Sequence, residues 1–143
     1  MGRIVVHLHG RLRDSSMKSL FSTYETRLKS KNIRIEIHNE KTSPLEYYNQ
    51  ICSQEGEKVF LDERGKMYNS LEFSELMGAA SLRSEHLHLC IGPVEGWNSV
   101  LEPSDSTVSL SKMTFTHEFA SVVLIEQIYR GFEILKGSEY HKV

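Results

Sequence analysis

Strand-like and helix-like segments alternate along the chain, and that alternation most constrains its fold. Residues 3–9 (RIVVHLH) are β-branched and apolar and end at Gly10, the composition of a strand. Ser15 or Ser16 is expected to cap a helix running to about Ser30, because Met17, Leu20, Phe21, Tyr24 and Leu28 recur at steps of three and four. Residues 33–38 (IRIEIH) alternate strictly, which puts Ile33, Ile35 and Ile37 on one face of a half-buried strand. Pro44, behind Ser43, opens a helix that runs to about Gln54 and stops at Gly56.

Residues 58–62 (KVFLD) predict a short strand, and residues 63–66 a turn around Gly65. Ser70, followed by Phe73, Leu76 and Met77, starts a helix ending near 78–81. Residues 86–91 (HLHLCI) predict a strand and residues 107–110 one more. Residues 118–135 form the strongest helix signal. Its apolar positions cover more than one face, so it is expected to be buried on several sides and to meet a partner subunit.

This order predicts a single α/β domain over 1–143, with a mostly parallel sheet flanked by helices. A chain of 143 residues can bury a core without a disulfide or metal staple. No apolar run is long enough to cross a membrane. The first residues lead straight into a strand, so no secretory signal is expected. Val6 stands where a myristoylation motif wants Ser or Thr. Cys52 and Cys90 form no Cys-x-x-Cys and are read as reduced core thiols in a reducing, cytoplasmic compartment.

The charge is uneven. The chain carries a formal −2, which argues against a general nucleic-acid binder. Residues 11–34 nevertheless hold seven bases and two acids, a local +5. That segment is either a solvated helix face or an anion-binding surface.

In parallel sheets ligands bind at the carboxyl ends of the strands. The loops after Leu61, after Ile91 and around Leu110 are the places to look. Ile91-Gly92-Pro93-Val94-Glu95-Gly96 follows a strand there, with a glycine that permits close approach to backbone. The C-terminal stretch SLSKMTFTHEF…VVLIEQIYRGFEILKGSEYHK, residues 109–142, is more specific. Together with IGPVEG at 91–96, FLDERGKMYNS at 60–70 and HLHGRLRD near the start, it closely resembles the SPOUT-class methyltransferases that act on N3 of a pseudouridine in large-subunit ribosomal RNA.

That resemblance implies a small α/β domain with a C-terminal trefoil knot, an exception to the rule against knots. It implies a homodimer that uses S-adenosylmethionine and acts on the assembled ribosome in the cytoplasm. By position the cofactor contacts would be Leu61, Gly92, Leu110, Ser111, Lys112, Met113, Thr114 and Phe115. Tyr140, His141 and Lys142 would lie by the partner subunit's cofactor and receive the target base. Tyr140 would stack on or orient the base and Lys142 would contact phosphate. His141 would accept the N3 proton or orient the base; the sequence leaves both roles open. Two other readings stand beside this one: a non-catalytic RNA- or ribosome-binding relative, and a knotted methyltransferase for another rRNA or tRNA site.

Three positions depart from the family pattern. Pro93 replaces a glycine and removes a backbone N–H. Thr116 replaces a proline, which is expected to loosen the turn before His117. Ser121 replaces an arginine expected at a dimer surface or near RNA. His7 with His9, and His86 with His88, each project to one strand face, which makes a shared metal site conceivable; the preferred reading is core or strand-end residues, with no metal site expected. Tyr47, Tyr48 and Trp97 are read as core or rim aromatics, with contact to the ligand or substrate as the second reading of Trp97, which lies beside the cofactor loop.

Overall fold

The computed structural model describes residues 2–142, so Met1 of the Met-Gly start and Val143 of the tail lie outside it. Five strands form one sheet in the order β2-β1-β4-β3-β5. They are β1 (Ile4–His9), β2 (Ile33–His38), β3 (Glu57–Met67), β4 (Leu87–Cys90) and β5 (Ser106–Ser109). All four pairings are parallel, as the alternation with helices requires. The helices are α1 (Ser15–Arg27), α2 (Pro44–Cys52), α3 (Ser70–Leu82) and α4 (His117–Lys136).

The period-two pattern of the strands sorts their side chains between two cores. Ile4, Val6 and Leu8 of β1, with Val59, Leu61, Leu87 and Leu89, face α1, α3 and α4. Phe21, Phe73, Met77, Leu124, Ile125 and Ile128 close that core. Burying each such side chain contributes about 1.5–3 kcal/mol. The opposite face carries Tyr47, Tyr48 and Ile51 of α2 over Phe60, Cys90 and Trp97. Tyr47 stacks on Trp97 with centroids 5.3 Å apart, and Phe60 meets the same indole edge-on at 5.2 Å.

Several expectations need correction. Asp14, not Ser15 or Ser16, caps α1: its carboxylate accepts from the N–H groups of Ser16 and Met17. The expected turn at Gly65 does not end the third strand. Leu61 and Lys66 both register with Val108, so residues 62–65 bulge out of a strand that then resumes. Cys90 is a buried thiol, but Cys52 is exposed on the last turn of α2, and both are free. Ile37 is half exposed because β2 is an edge strand. The wide apolar arc of α4 is largely met within the chain, because α4 packs against both α1 and α3.

Thr116 does not loosen the turn before α4. Its hydroxyl is the N-cap, accepting from the Phe119 N–H at 3.2 Å. Ser121 is buried and donates to the His117 carbonyl at 2.7 Å, so that position faces the core and not the surface. Gly137, with φ of 78°, stops α4 in the left-handed conformation.

Candidate active site

The bulge of β3 and the carboxyl ends of β4 and β5 open into one cleft, closed on one side by the first turn of α4. Leu61 and Asp62 come from β3, Ile91 to Asn98 from the loop after β4, and Leu110 to Phe115, without Lys112, from the loop after β5. His117 and Ala120 complete the wall. Leu61, Gly92, Leu110, Ser111, Met113, Thr114 and Phe115, expected as cofactor contacts, therefore share one cavity. Lys112 is exposed and does not line it.

The loops of this cleft are braced from within. The Gly96 N–H donates to the Pro93 carbonyl at 2.8 Å, closing a tight turn in which Gly96 takes a φ of 80°. Pro93 is buried and serves this turn through its carbonyl, so the turn's hydrogen bond does not need the missing N–H. After β5, Ser109 Oγ donates to the Ser111 carbonyl at 2.8 Å, and the Met113 N–H donates to Ser111 Oγ at 3.0 Å. Gly92 is needed chiefly for packing: a Cβ there would stand 3.2 Å from the Trp97 ring.

Two features of the cleft were not read from the sequence. Arg64 donates to Asp62 from its backbone at 2.9 Å and from its guanidinium at 2.9 and 3.1 Å. Those hydrogen bonds hold the Asp62 carboxyl below the usual carboxylate range, so it stays ionised. The Asp-x-Arg spacing was the available signal. Trp97 is buried, yet its Nε1 has no hydrogen-bond partner. A buried donor in that condition carries a desolvation cost that a bound acceptor would relieve.

Tyr140, His141 and Lys142 are not in this cleft. The tail folds against the far part of α4 and onto α1. Tyr140 Oη donates to Glu126 at 2.8 Å and lies 3.3 Å from the Tyr24 hydroxyl. Its ring lies under the Arg130 guanidinium, 4.8 Å from the centroid, and edge-on to Tyr129. Burial, with the hydrogen bonds to Tyr24 and Glu126, pushes the Tyr140 phenol well up. An Arg130 N–H donates to His141 Nδ1 at 3.1 Å, and Arg130 also holds Glu126 at 2.7 Å. Arginine has no acceptor, so His141 Nδ1 must be the unprotonated nitrogen of that contact.

The +5 segment is less free than its charge implies. Arg13 pairs with Glu40, and Arg34 with Glu36. Arg27 lies over Tyr24 and Tyr129, and Lys31 over Phe132. Arg11, Lys18 and Lys29 are exposed. The histidines group differently from their spacing. His86 accepts from the Arg3 N–H, and His9 stacks on Tyr47, whereas His7, His38 and His88 form a buried chain.

Comparison with known proteins agrees with this architecture. A family model described as "Predicted SPOUT methyltransferase" matches residues 3–141. Among curated proteins, ribosomal RNA large subunit methyltransferase H of Clostridium kluyveri is 34% identical, over 93% of this chain and 95% of that one. The protein of the same name from Prochlorococcus marinus strain MIT 9301 is 31% identical, over 98% and 96%. Among solved structures, TrmJ from Z. mobilis ZM4 superposes with a TM-score of 0.52 at 7% identity, covering all of this chain and 72% of that one. That last likeness concerns the fold alone. No helix among the described residues is long and apolar enough to cross a membrane.

Proposed function

The chain belongs to the SPOUT methyltransferase family, and from that premise we propose that it methylates N3 of a pseudouridine in large-subunit ribosomal RNA, using S-adenosylmethionine. It does so in the cytoplasm, as a homodimer acting on the assembled ribosome. The coarse part of this reading, methylation of ribosomal RNA, is supported by the relatives' names over nearly their whole length. The pseudouridine, the nitrogen and the ribosome follow from the resemblance of residues 109–142. The knot fits the observed strand order.

One observation supports the homodimer: the tail packs on α1 and α4, outside its own cleft. Ala120 lines the cleft, and the helix from there to Lys136 rises roughly 24 Å. The five residues from Gly137 to His141 span at most about 17 Å fully extended. With Tyr140 held against Glu126 and His141 against Arg130, both stand outside their own cleft and would serve that of another copy. Val94, Met113 and Phe119 are exposed at the cleft and around the start of α4, apolar surface suited to meeting that copy.

The cleft residues fit the cofactor. Leu61, Ile91 and Leu110 give apolar walls, and Trp97 offers an unpartnered N–H. S-adenosylmethionine supplies a methyl group on a positively charged sulfur, so transfer is a displacement that needs no metal. The protein's part is alignment, which can supply about 7–11 kcal/mol of a barrier. Tyr140 and Lys142 position the base and its phosphate. With Nδ1 occupied by Arg130, neutral His141 carries its proton on Nε2. That favours His141 as a donor orienting a base carbonyl over a role as proton acceptor.

The test uses purified protein, radiolabelled cofactor and ribosomes lacking the modification. Methylation mapped to one pseudouridine supports the reading. Methylation of tRNA or another rRNA site moves it to a different knotted enzyme. Ribosome binding without cofactor affinity makes the chain a non-catalytic relative.

A further inference from the structure

On the sheet face covered by α2, three imidazoles from three different strands form a chain that the methyltransferase reading does not use. His88 Nε2 contacts the Glu55 carbonyl at 2.9 Å. His88 Nδ1 lies 2.8 Å from His7 Nε2, and His7 Nδ1 lies 2.8 Å from His38 Nε2. His38 Nδ1 ends the chain 2.8 Å from Gln50 Oε1. His7 and His88 are fully enclosed, and His38 nearly so.

Counting protons shows what this chain lacks. Both ends are oxygen acceptors, so His88 must carry its proton on Nε2 and His38 on Nδ1. His7 has one proton for the two rings beside it, to give from Nε2 to His88 Nδ1 or from Nδ1 to His38 Nε2. Three neutral rings supply three protons for four contacts. With that proton on Nε2, the form that metal binding would select, His7 Nδ1 and His38 Nε2 are lone pairs that face each other. A Glu36 carboxylate oxygen lies 3.5 Å from His38 Nε2, on the residue that registers with His7 across β1 and β2. The three donor atoms lie within 4.8 Å of one another.

We propose that His7 Nδ1, His38 Nε2 and Glu36 bind one divalent transition-metal ion, with zinc the cation whose preferences the set meets. Two imidazoles and a carboxylate are an established zinc ligand set, with the fourth position left to water. Each ligand has an outer partner that fixes its orientation: His88 on His7, Gln50 on His38, and the Gln54 amide, at 2.8 Å, on Glu36. Zinc–nitrogen bonds of about 2.0–2.1 Å would need the two rings to part by roughly half an ångström. Arg34, bonded to Glu36, and Lys58, bonded to the Gln54 carbonyl, add positive charge nearby. The site is therefore built for moderate affinity. The metal would brace β1 against β2, outside the cleft lining but one ring from it: His38 meets Tyr47 at 4.9 Å, and Tyr47 stacks on Trp97.

The test is calorimetric titration of chelator-treated protein with zinc chloride, with thermal unfolding beside it. One equivalent per chain and a raised midpoint are expected. His38→Gln and Glu36→Gln should each abolish that binding. His88→Gln should weaken it about 10–100-fold. His9→Gln, outside the chain of rings, should not change it. Glu36 is partly exposed, so its variant folds even where the His38 variant does not. Absence of stoichiometric binding, or binding that survives Glu36→Gln, overturns the proposal. So does a nitrogen NMR spectrum in which a proton still bridges His7 and His38 at saturating zinc.

Discussion

Arg130 donates to Nδ1 of His141 across 3.1 Å, fastening the end of the chain to the helix whose other end closes the cleft. The guanidinium also holds Glu126, which accepts from Tyr140. One arginine thus sets the position of two tail residues at once. In the proposed homodimer the tail would arrive at a partner's cleft already shaped, which would lower the ordering cost of assembling a shared site.

Replacing Arg130 by alanine should release the tail without touching the cleft that the same chain builds. Single-turnover methylation should fall about a hundredfold, the scale expected when a reacting group is misplaced by an ångström. Cofactor affinity, measured by calorimetry, should stay within about twofold of the parent.

Docking of Tyr140 should be insensitive to pH through the neutral range. Its phenol is pushed above the ordinary tyrosine value by burial and by its contacts with Tyr24 and Glu126. The protonated form is the one folding favours, so its contribution is complete below the unfolded value near 10 and is lost only as pH rises beyond it. Hydrogen exchange of residues 138–142 should be constant in protection from about pH 6 to 9 and lose it above about 10.

Gly92→Ala should destabilise the fold. The added Cβ would stand 3.2 Å from an indole that Tyr47 stacks on and Phe60 meets edge-on, so the ring has little room to retreat. Overpacking of this kind costs about 1–3 kcal/mol. Urea unfolding should show a lower midpoint, and cofactor affinity should fall with it, because Trp97 is part of the cleft wall.

Thr116→Ala removes the cap of α4 and should cost about 1 kcal/mol in the same urea assay. A proline in its place, as the resembling family has, should lose the same hydroxyl cap.

Much of this was legible in the chain itself. Strict alternation in residues 33–38 and the Ser43-Pro44 start located β2 and α2 to within two residues, because those signals are local. Elsewhere a neighbour decided the outcome. Gly65 reads as a turn, but pairing with β5 carries β3 past it. The broad apolar arc of α4 reads as a dimer surface, but α1 and α3 take up most of it. Pairs of histidines two apart suggested partners along each strand. Their actual partners lie on adjacent strands, which no single-strand spacing reveals. The cleft loops could be placed from strand order alone. The Asp62–Arg64 pair and the anchoring of Tyr140 by Glu126 needed the fold.

The central claim is that one subunit's cleft is completed by the other subunit's tail. Subunit mixing tests it most directly. Ser111→Trp fills the cleft and His141→Ala disables the tail; each variant alone should be inactive while remaining folded and dimeric. Co-expressed, they should regain about a quarter of parental activity, since half of randomly formed dimers are mixed and each mixed dimer has one intact site. Activity no higher than that of the separate variants would contradict a shared site.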